Sequence, residues 1–514
     1  MQSPSEDVVE TPAPRLVVTI VIDQLPSWAL TKYLEYLPED GALRRAIARG
    51  VWYPQVRYEY ASTFTAPGHV AIYTGAVPAD SGVMTNKVWD RHTGEERAVV
   101  ADPKYPTVGS TDKSAAPTEL RVPTMGDMLH EVTGGESVIL SLSLKDRAAV
   151  FSGGKHADLA VWYDHKQKGF VTSTYYADAL PEWLSAYREA HPIDELLTAW
   201  TAADPELCAR ATNVADDARG EGEVHGYGRT FPHDPRDTDK PLKRLRLTPQ
   251  MAEYQIALAA EGARAMSLGE DDVTDLLAIS ISGTDYVGHT FGADSWEYFD
   301  NLVRVDRALA RMLDTLEGER GPIAVLITSD HGVQRVPEVH GKGRVYTEDV
   351  LKQAQDAAVE ALGEGDWVGE FEKPFFFLTA DGMTKRDAVV AAVVKELSGS
   401  EGIELVVDPR EAAGWRDDPD PLRKAIGRSV SADVSGELYL VVAEGWILDD
   451  YRERGGGANH GTPWQYDRDV PVLFWGPGIA AARHDEVVSQ ARVAPTIAKL
   501  LGVAPPKGVT APPL

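Results

Sequence analysis

"RLVVTIVID", residues 15–23, decides how this chain folds. Its seven consecutive apolar or β-branched residues, 16–22, lack the polar alternation of a half-wet strand, which predicts a strand buried on both faces of a parallel sheet. The run ends on an acid, Asp23. Runs of the same kind recur at "SVILSLSL" (137–144), "LLAISIS" (276–282), "PIAVLITSD" (322–330), "ELYLVV" (437–442) and "VPVLFW" (470–475). Between them, "TPQMAEYQIALAAEGARAMSLG" (248–269) and "SWEYFDNLVRVDRALARMLDTLEG" (295–318) space apolar residues three and four apart and end at Gly, as helices do. Strands alternating with helices predict an α/β fold with a central, mostly parallel sheet flanked by helices.

Two stretches break the alternation and read as inserted caps. The chain therefore divides into a flexible leader (1–14), core (15–150), cap insertion (151–247), core (248–332), second insertion (333–459) and core (460–514). The leader, rich in Pro, Ser and Glu, lacks the basic start and apolar stretch of a signal peptide, and suits an exported chain whose signal has been removed. With 514 residues, 43% apolar and 25% charged, the composition is that of a globular protein. A net charge of −28 argues against nucleic acid as a partner, and no run approaches the ~20 apolar residues of a membrane helix. The single cysteine, Cys208, excludes an intrachain disulfide and a thiolate metal cluster.

Chemistry gathers at the strand ends. Asp23, Asp285 and Asp330–His331 follow three of the runs, at the carboxyl edge where open α/β sheets bind ligands. "TDYVGH" spaces Asp285 and His289 four apart, on one helical face, and "GGGANHGTP" brings His460 from a glycine loop. Each residue alone reads best as structural. Together, three carboxylates and three imidazoles form a donor set suited to Zn²⁺.

The motifs "VIDQL", "FTAPGH", "IYTG", "TNKVWDR", "SLKDR", "GTDYVGH", "SDHG" and "NHGTP", in that order across residues 21–463, resemble the alkaline phosphatase superfamily, in its branch of bacterial phosphatases with a threonine nucleophile. The resemblance implies two Zn²⁺, one held by Asp285, His289 and His460, the other by Asp23, Asp330, His331 and the hydroxyl of Thr65. It makes Thr65 the nucleophile and gives Asn86, Lys145 and Arg147 to the phosphoryl oxygens. It further implies a phosphate monoester as substrate, inorganic phosphate as product, a monomer or small homo-oligomer, and a periplasmic or secreted location.

Charge counting agrees with a monoester. Three carboxylates and a threonine alkoxide cancel two divalent cations, so a dianionic substrate needs about two further positive charges, and Lys145 and Arg147 carry them. In an extended chain, residues two apart point to one side. Thr65 is expected to cap a helix, while Ser62 and Thr63 fill the loop before it. Two rivals stand beside this reading. A phosphodiesterase or nucleotide pyrophosphatase would use an apolar pocket, for which the aromatic-rich 159–176 is the candidate. A non-catalytic phosphate- or metal-binding protein is the other. Calcium is a further candidate, at the acidic "WRDDPDP" (415–421).

Overall fold

The computed structural model describes residues 14–90, 94–223, 226–340, 342–450, 452 and 456–514; apart from Pro14, the expected leader lies outside the described residues. Eight strands build most of the central sheet: β1 (Leu16–Ile22), β2 (Val51–Arg57), β3 (Ile139–Ser143), β4 (Leu159–Asp164), β5 (Gly169–Val171), β6 (Asp275–Ile281), β7 (Ala324–Thr328) and β8 (Asp469–Trp475). Their order is β2-β8-β7-β1-β6-β3-β4-β5, with the short strands Ala482–Arg483 and Val488–Ser489 added on β2. The five from β7 to β4 run parallel, β5 is antiparallel to β4, and β8 is antiparallel to both its neighbours.

Burial on both faces explains the apolar run of β1. Leu16, Val18, Ile20 and Ile22 enter one core, and Val17 and Val21 enter the core on the opposite face. Each buried Val or Ile contributes about 1.5–3 kcal/mol, so no face of this strand tolerates a polar alternation.

The helices that matter for the site are α1 (Thr65–Thr74), α2 (Asp146–Gly153), α3 (Pro249–Ala265), α4 (Gly283–Phe291), α5 (Trp296–Arg320) and α6 (Val493–Leu501). Helices α3 and α5 pack on the first face and α6 on the second. The Thr-Pro entry of α3 is as expected, with Thr248 flanking and Pro249 first, but the helix stops at Ala265, four residues before Gly269. In α5 the Ser295 hydroxyl accepts from the Tyr298 N–H at 3.1 Å, and Gly321 closes the far end.

Three sequence expectations are corrected. Strands β4 and β5 fall inside the expected cap 151–247 yet extend the central sheet, because their apolar side chains complete its cores. "ELYLVV" forms Leu438–Val442 in a separate antiparallel four-stranded sheet with Val368–Glu372, Phe375–Leu378 and Ile403–Val407. It reads like a central strand because it too is covered on both faces, with Leu438, Leu440 and Val442 in one cluster and Tyr439 and Val441 in another. The acidic 415–421 segment serves local capping: Asp420 accepts from Leu422 and Arg423 N–H groups, and no metal-holding group gathers there among the described residues.

Register sets up the site. Val21 pairs with Ser280 and Thr328, and Ser143 pairs with Ser280, so the four form one row across the sheet. Asp23, Lys145 and Asp330 each stand two residues beyond that row, at the carboxyl ends of β1, β3 and β7. Strand β6 runs instead into α4, whose first turn carries Asp285. Among the described residues, no helix is long and apolar enough to cross a membrane.

Candidate metal centre and phosphoryl site

Six of the expected residues converge as two groups, Asp285–His289–His460 and Asp23–Asp330–His331, the donor atoms of each lying within 4.8 Å of one another. In the first, the Asp285 Oδ1 is 3.1 Å from His289 Nε2 and 3.5 Å from His460 Nε2. In the second, His331 Nε2 is 3.5 Å from both Asp23 Oδ1 and Asp330 Oδ2.

The imidazoles are held from behind. His289 Nδ1 is 3.0 Å from the Ala458 carbonyl, His460 Nδ1 2.7 Å from the Thr63 carbonyl, and His331 Nδ1 3.0 Å from the Gly332 carbonyl. A carbonyl only accepts, so each Nδ1 carries the proton and each Nε2 turns a lone pair inward. That is the tautomer a metal requires. Burial, followed by the neighbouring His331, pulls His460 down to about 3, and burial also pulls His331 below its ordinary value. Both rings are therefore neutral near pH 7.

The donor set fits a cation by a further test. Asp23 Oδ1, Asp330 Oδ2 and His331 Nε2 are all buried and lack hydrogen-bond partners. Orphaned atoms are costly, and three from one group whose donor atoms lie within 4.8 Å of one another are what a metal would satisfy. Charge agrees. Burial, then Asp285 and Asp330, push the Asp23 carboxyl well above the usual range. Burial pushes Asp285 upward too, but the charge of Lys145 holds it well below that range. Three buried carboxylates face the Lys145 ammonium, a deficit that a proton on Asp23 relieves in part and that bound cations would cancel.

Lys145 Nζ donates to Asp23 Oδ2 at 2.7 Å, Asp285 Oδ2 at 2.6 Å and Thr65 Oγ1 at 3.1 Å, and it lies 5.3 Å from the Tyr286 ring centre. Burial pulls its pKa down, but Asp23 and Asp285 hold it above the ordinary lysine value. Lys145 thus sits between the two groups and touches the candidate nucleophile.

Thr65 opens α1 as its first helical residue. Phe64 occupies the capping position and no side chain caps the helix, so the expected threonine cap is corrected to one residue further in. The hydroxyl is left unclaimed by the backbone and available to Lys145. Ser62 and Thr63 are occupied: the Ser62 hydroxyl is 3.4 Å from that of Tyr439, and Thr63 donates to the Thr462 carbonyl at 3.1 Å. Asn86 accepts the Ala66 N–H through Oδ1 at 2.9 Å. Arg147 lies in the first turn of α2 and not in an extended chain, because the strand gives way to helix at Asp146. It still reaches the site, lining with Phe64, Asn86, His289, Arg344 and His460 a cavity of about 450 Å³. The aromatic stretch 159–176 is absent from that lining; Trp162, Tyr163, Phe170 and Tyr176 pack in or against the sheet's cores.

Several contributors carried no assigned role in the sequence. His69, four residues after Thr65, places Nδ1 2.8 Å from the Thr65 carbonyl and 3.3 Å from Asp330 Oδ2, and Nε2 2.9 Å from Ser280 Oγ. Its signal was the i, i+4 spacing within "TAPGH". Gly68 lets α1 approach β7: a Cβ there would lie 2.3 Å from the Asp330 carbonyl oxygen. Gly68→Ala is expected to push Asp330 out of register and lower turnover at least ~10-fold, since overpacking typically costs about 1–3 kcal/mol. Steady-state kinetics beside a thermal melt check this; unchanged kcat would mean the backbone yields elsewhere.

The fold and this site define a class, and sequence comparison agrees with it. The chain matches the type I phosphodiesterase / nucleotide pyrophosphatase family over residues 17–463 and belongs to it. Among its relatives, a Myroides odoratus protein named calcium-transporting ATPase is 30% identical, covering 96% of this chain and 93% of that one. The alkaline phosphatase PafA of Elizabethkingia meningoseptica is 28% identical, with 98% and 94% covered. The crystal structure of wild-type PafA superposes with a TM-score of 0.89 at 27% identity over 98% of both chains.

Proposed function

We propose that the protein is a zinc-dependent alkaline phosphatase that hydrolyses phosphate monoesters through a phosphothreonine on Thr65 and releases inorganic phosphate. The observation that carries this reading is Lys145 Nζ, 3.1 Å from Thr65 Oγ1 and within 2.7 Å of acids from both ligand groups. In this reading Asp285, His289 and His460 hold one metal, and Asp23, Asp330 and His331 hold the other together with Thr65. When bound, such a metal pair supplies positive charge to the attacking and leaving oxygens and favours the ionised hydroxyl.

The chain's own groups do the rest. Thr65 Oγ bonds to phosphorus as the bond from phosphorus to the ester oxygen breaks, and the leaving alkoxide takes a proton from water. A second water then attacks phosphorus, the bond to Thr65 Oγ breaks, and phosphate departs. Asn86, its oxygen occupied by the Ala66 N–H, presents its amide hydrogens to a phosphoryl oxygen. Lys145 and Arg147 offset the dianion's charge, so positioning and electrostatics account for the acceleration.

The cavity supports a monoester over a diester. Its wall carries Lys87, Arg344, Lys373, Asp449 and Asp450, and Phe64 is its one Phe, Tyr or Trp side chain among the described residues. Such a wall suits a polar leaving group and offers little to a second apolar ester arm. A core with two insertions, the first starting beyond β5, and export to the periplasm or medium, belong to the same reading.

Rates on phenyl phosphate and bis-phenyl phosphate with zinc-loaded protein decide it. The monoester should be turned over faster; faster diester cleavage reassigns the chain to the diesterases, and no turnover of either ester removes the enzymatic reading. Metal removal gives an independent check. At free zinc a thousandfold above Kd, binding adds about 4 kcal/mol to stability, so chelation should lower Tm measurably and zinc should restore it.

A further inference from the structure

Gln24 follows the ligand Asp23 and is fully buried. Its φ is 64°, in the left-handed region that non-glycine side chains seldom adopt. That turn sends two parts of one residue to two ligand groups. The backbone N–H donates to Asp330 Oδ1 at 3.3 Å, and the side-chain Nε2 donates to Asp285 Oδ1 at 2.9 Å. The residue is itself anchored: the Tyr298 hydroxyl, on α5, donates to the Gln24 carbonyl at 2.8 Å. The next residue extends the hold, since the Leu25 N–H reaches Ser329 Oγ at 2.9 Å and that hydroxyl donates to the His331 carbonyl at 2.7 Å. Space for the amide exists because residue 288, between Asp285 and His289, is glycine; a Cβ there would lie 1.8 Å from Gln24 Oε1.

We propose that Gln24 is a positioning residue that couples the two ligand groups, its backbone fixing Asp330 and its side chain fixing Asp285. The inference rests on the two-metal reading. A glutamine suits the task because it combines reach with a neutral donor: a carboxylate would repel Asp285, and an asparagine is one methylene short. Partners that orient a ligating carboxylate typically change metal affinity 10–100-fold when removed. Here the loss should be one-sided, because Gln24→Met deletes the side-chain donor and keeps the backbone one.

Single-site backgrounds separate the two effects. His331→Ala leaves the Asp285 group as the intact site, and His289→Ala leaves the Asp23 group. Zinc affinity, read by competition with a chelating dye, should fall at least ~10-fold on adding Gln24→Met to the first background and less than ~3-fold on adding it to the second. Equal losses in both, or none in either, overturn the proposal. If Gln24→Met does not fold, Tyr298→Phe, which frees the Gln24 carbonyl and so loosens both of its donors, takes its place and should weaken zinc binding in both backgrounds; for this variant, unchanged affinity in either overturns the proposal. Wild-type protein that takes up fewer than two zinc ions overturns the metal reading and this inference together. Two ions bound, with variants equal to wild type, overturns the coupling alone.

Discussion

Replacing Thr65 by Ala should lower kcat on a phosphate monoester by on the order of 10⁴-fold or more, the scale seen when a nucleophile acting within a cooperative constellation is removed. The hydroxyl is the one side-chain oxygen of the 62–65 stretch that Lys145 reaches, and the neighbouring hydroxyls are engaged elsewhere. Thr65→Ser keeps the oxygen and should retain activity within about 100-fold, losing only the rotamer restraint of the β-branch. Rapid-quench detection of a phosphorylated protein should succeed with wild type and fail with Thr65→Ala. If the alanine variant keeps a tenth of the wild-type rate, Thr65 is not the nucleophile.

Lys145→Ala and Arg147→Ala should each lower kcat/KM for the monoester by about 10²–10³, as removal of one donor to a developing oxyanion typically does. The diester rate should fall less than ~10-fold, because a monoanion asks for less positive charge. The ratio of the two rates is therefore the measurement. The variants differ in a second respect. Lys145 is fully enclosed between Asp23 and Asp285, and breaking a buried ion pair from one side costs about 3–5 kcal/mol. Its kinetics must be read on zinc-loaded protein, where other cations face those acids. Arg147 is only half-buried, so Arg147→Ala should leave Tm nearly unchanged and isolate the substrate effect. A ratio that does not move in either variant would remove the monoester assignment.

The chemistry lay close to the surface of the sequence. Asp23 and Asp330 each follow a buried strand, and a parallel sheet fixes which end of each strand shares an edge, so run and residue together implied a common site, to which the family resemblance added Lys145. Asp285 and His289 were legible for a similar reason, since four-residue spacing on a helix is local geometry. Less could be read wherever burial alone was the signal. Leu438–Val442 and β4 are apolar because both faces are covered, and apolarity does not say which sheet does the covering. Arg147 was misread because "SLKDR" carries no mark of where strand becomes helix; that is decided by α2 packing Ala149, Val150 and Phe151 with Ala160 and Trp162 of β4.

From residues alone follow the α/β class and the inventory of candidate metal-ligating side chains, because strand burial, helical spacing and donor chemistry are properties of short segments; Thr65 was marked by the family resemblance. Only the tertiary structure decided that Lys145 joins the two groups and that carbonyls of Thr63, Gly332 and Ala458 set the histidine tautomers. Those relations connect residues up to 397 positions apart in the chain. They depend on strand order, register and close backbone approach, which no local pattern encodes.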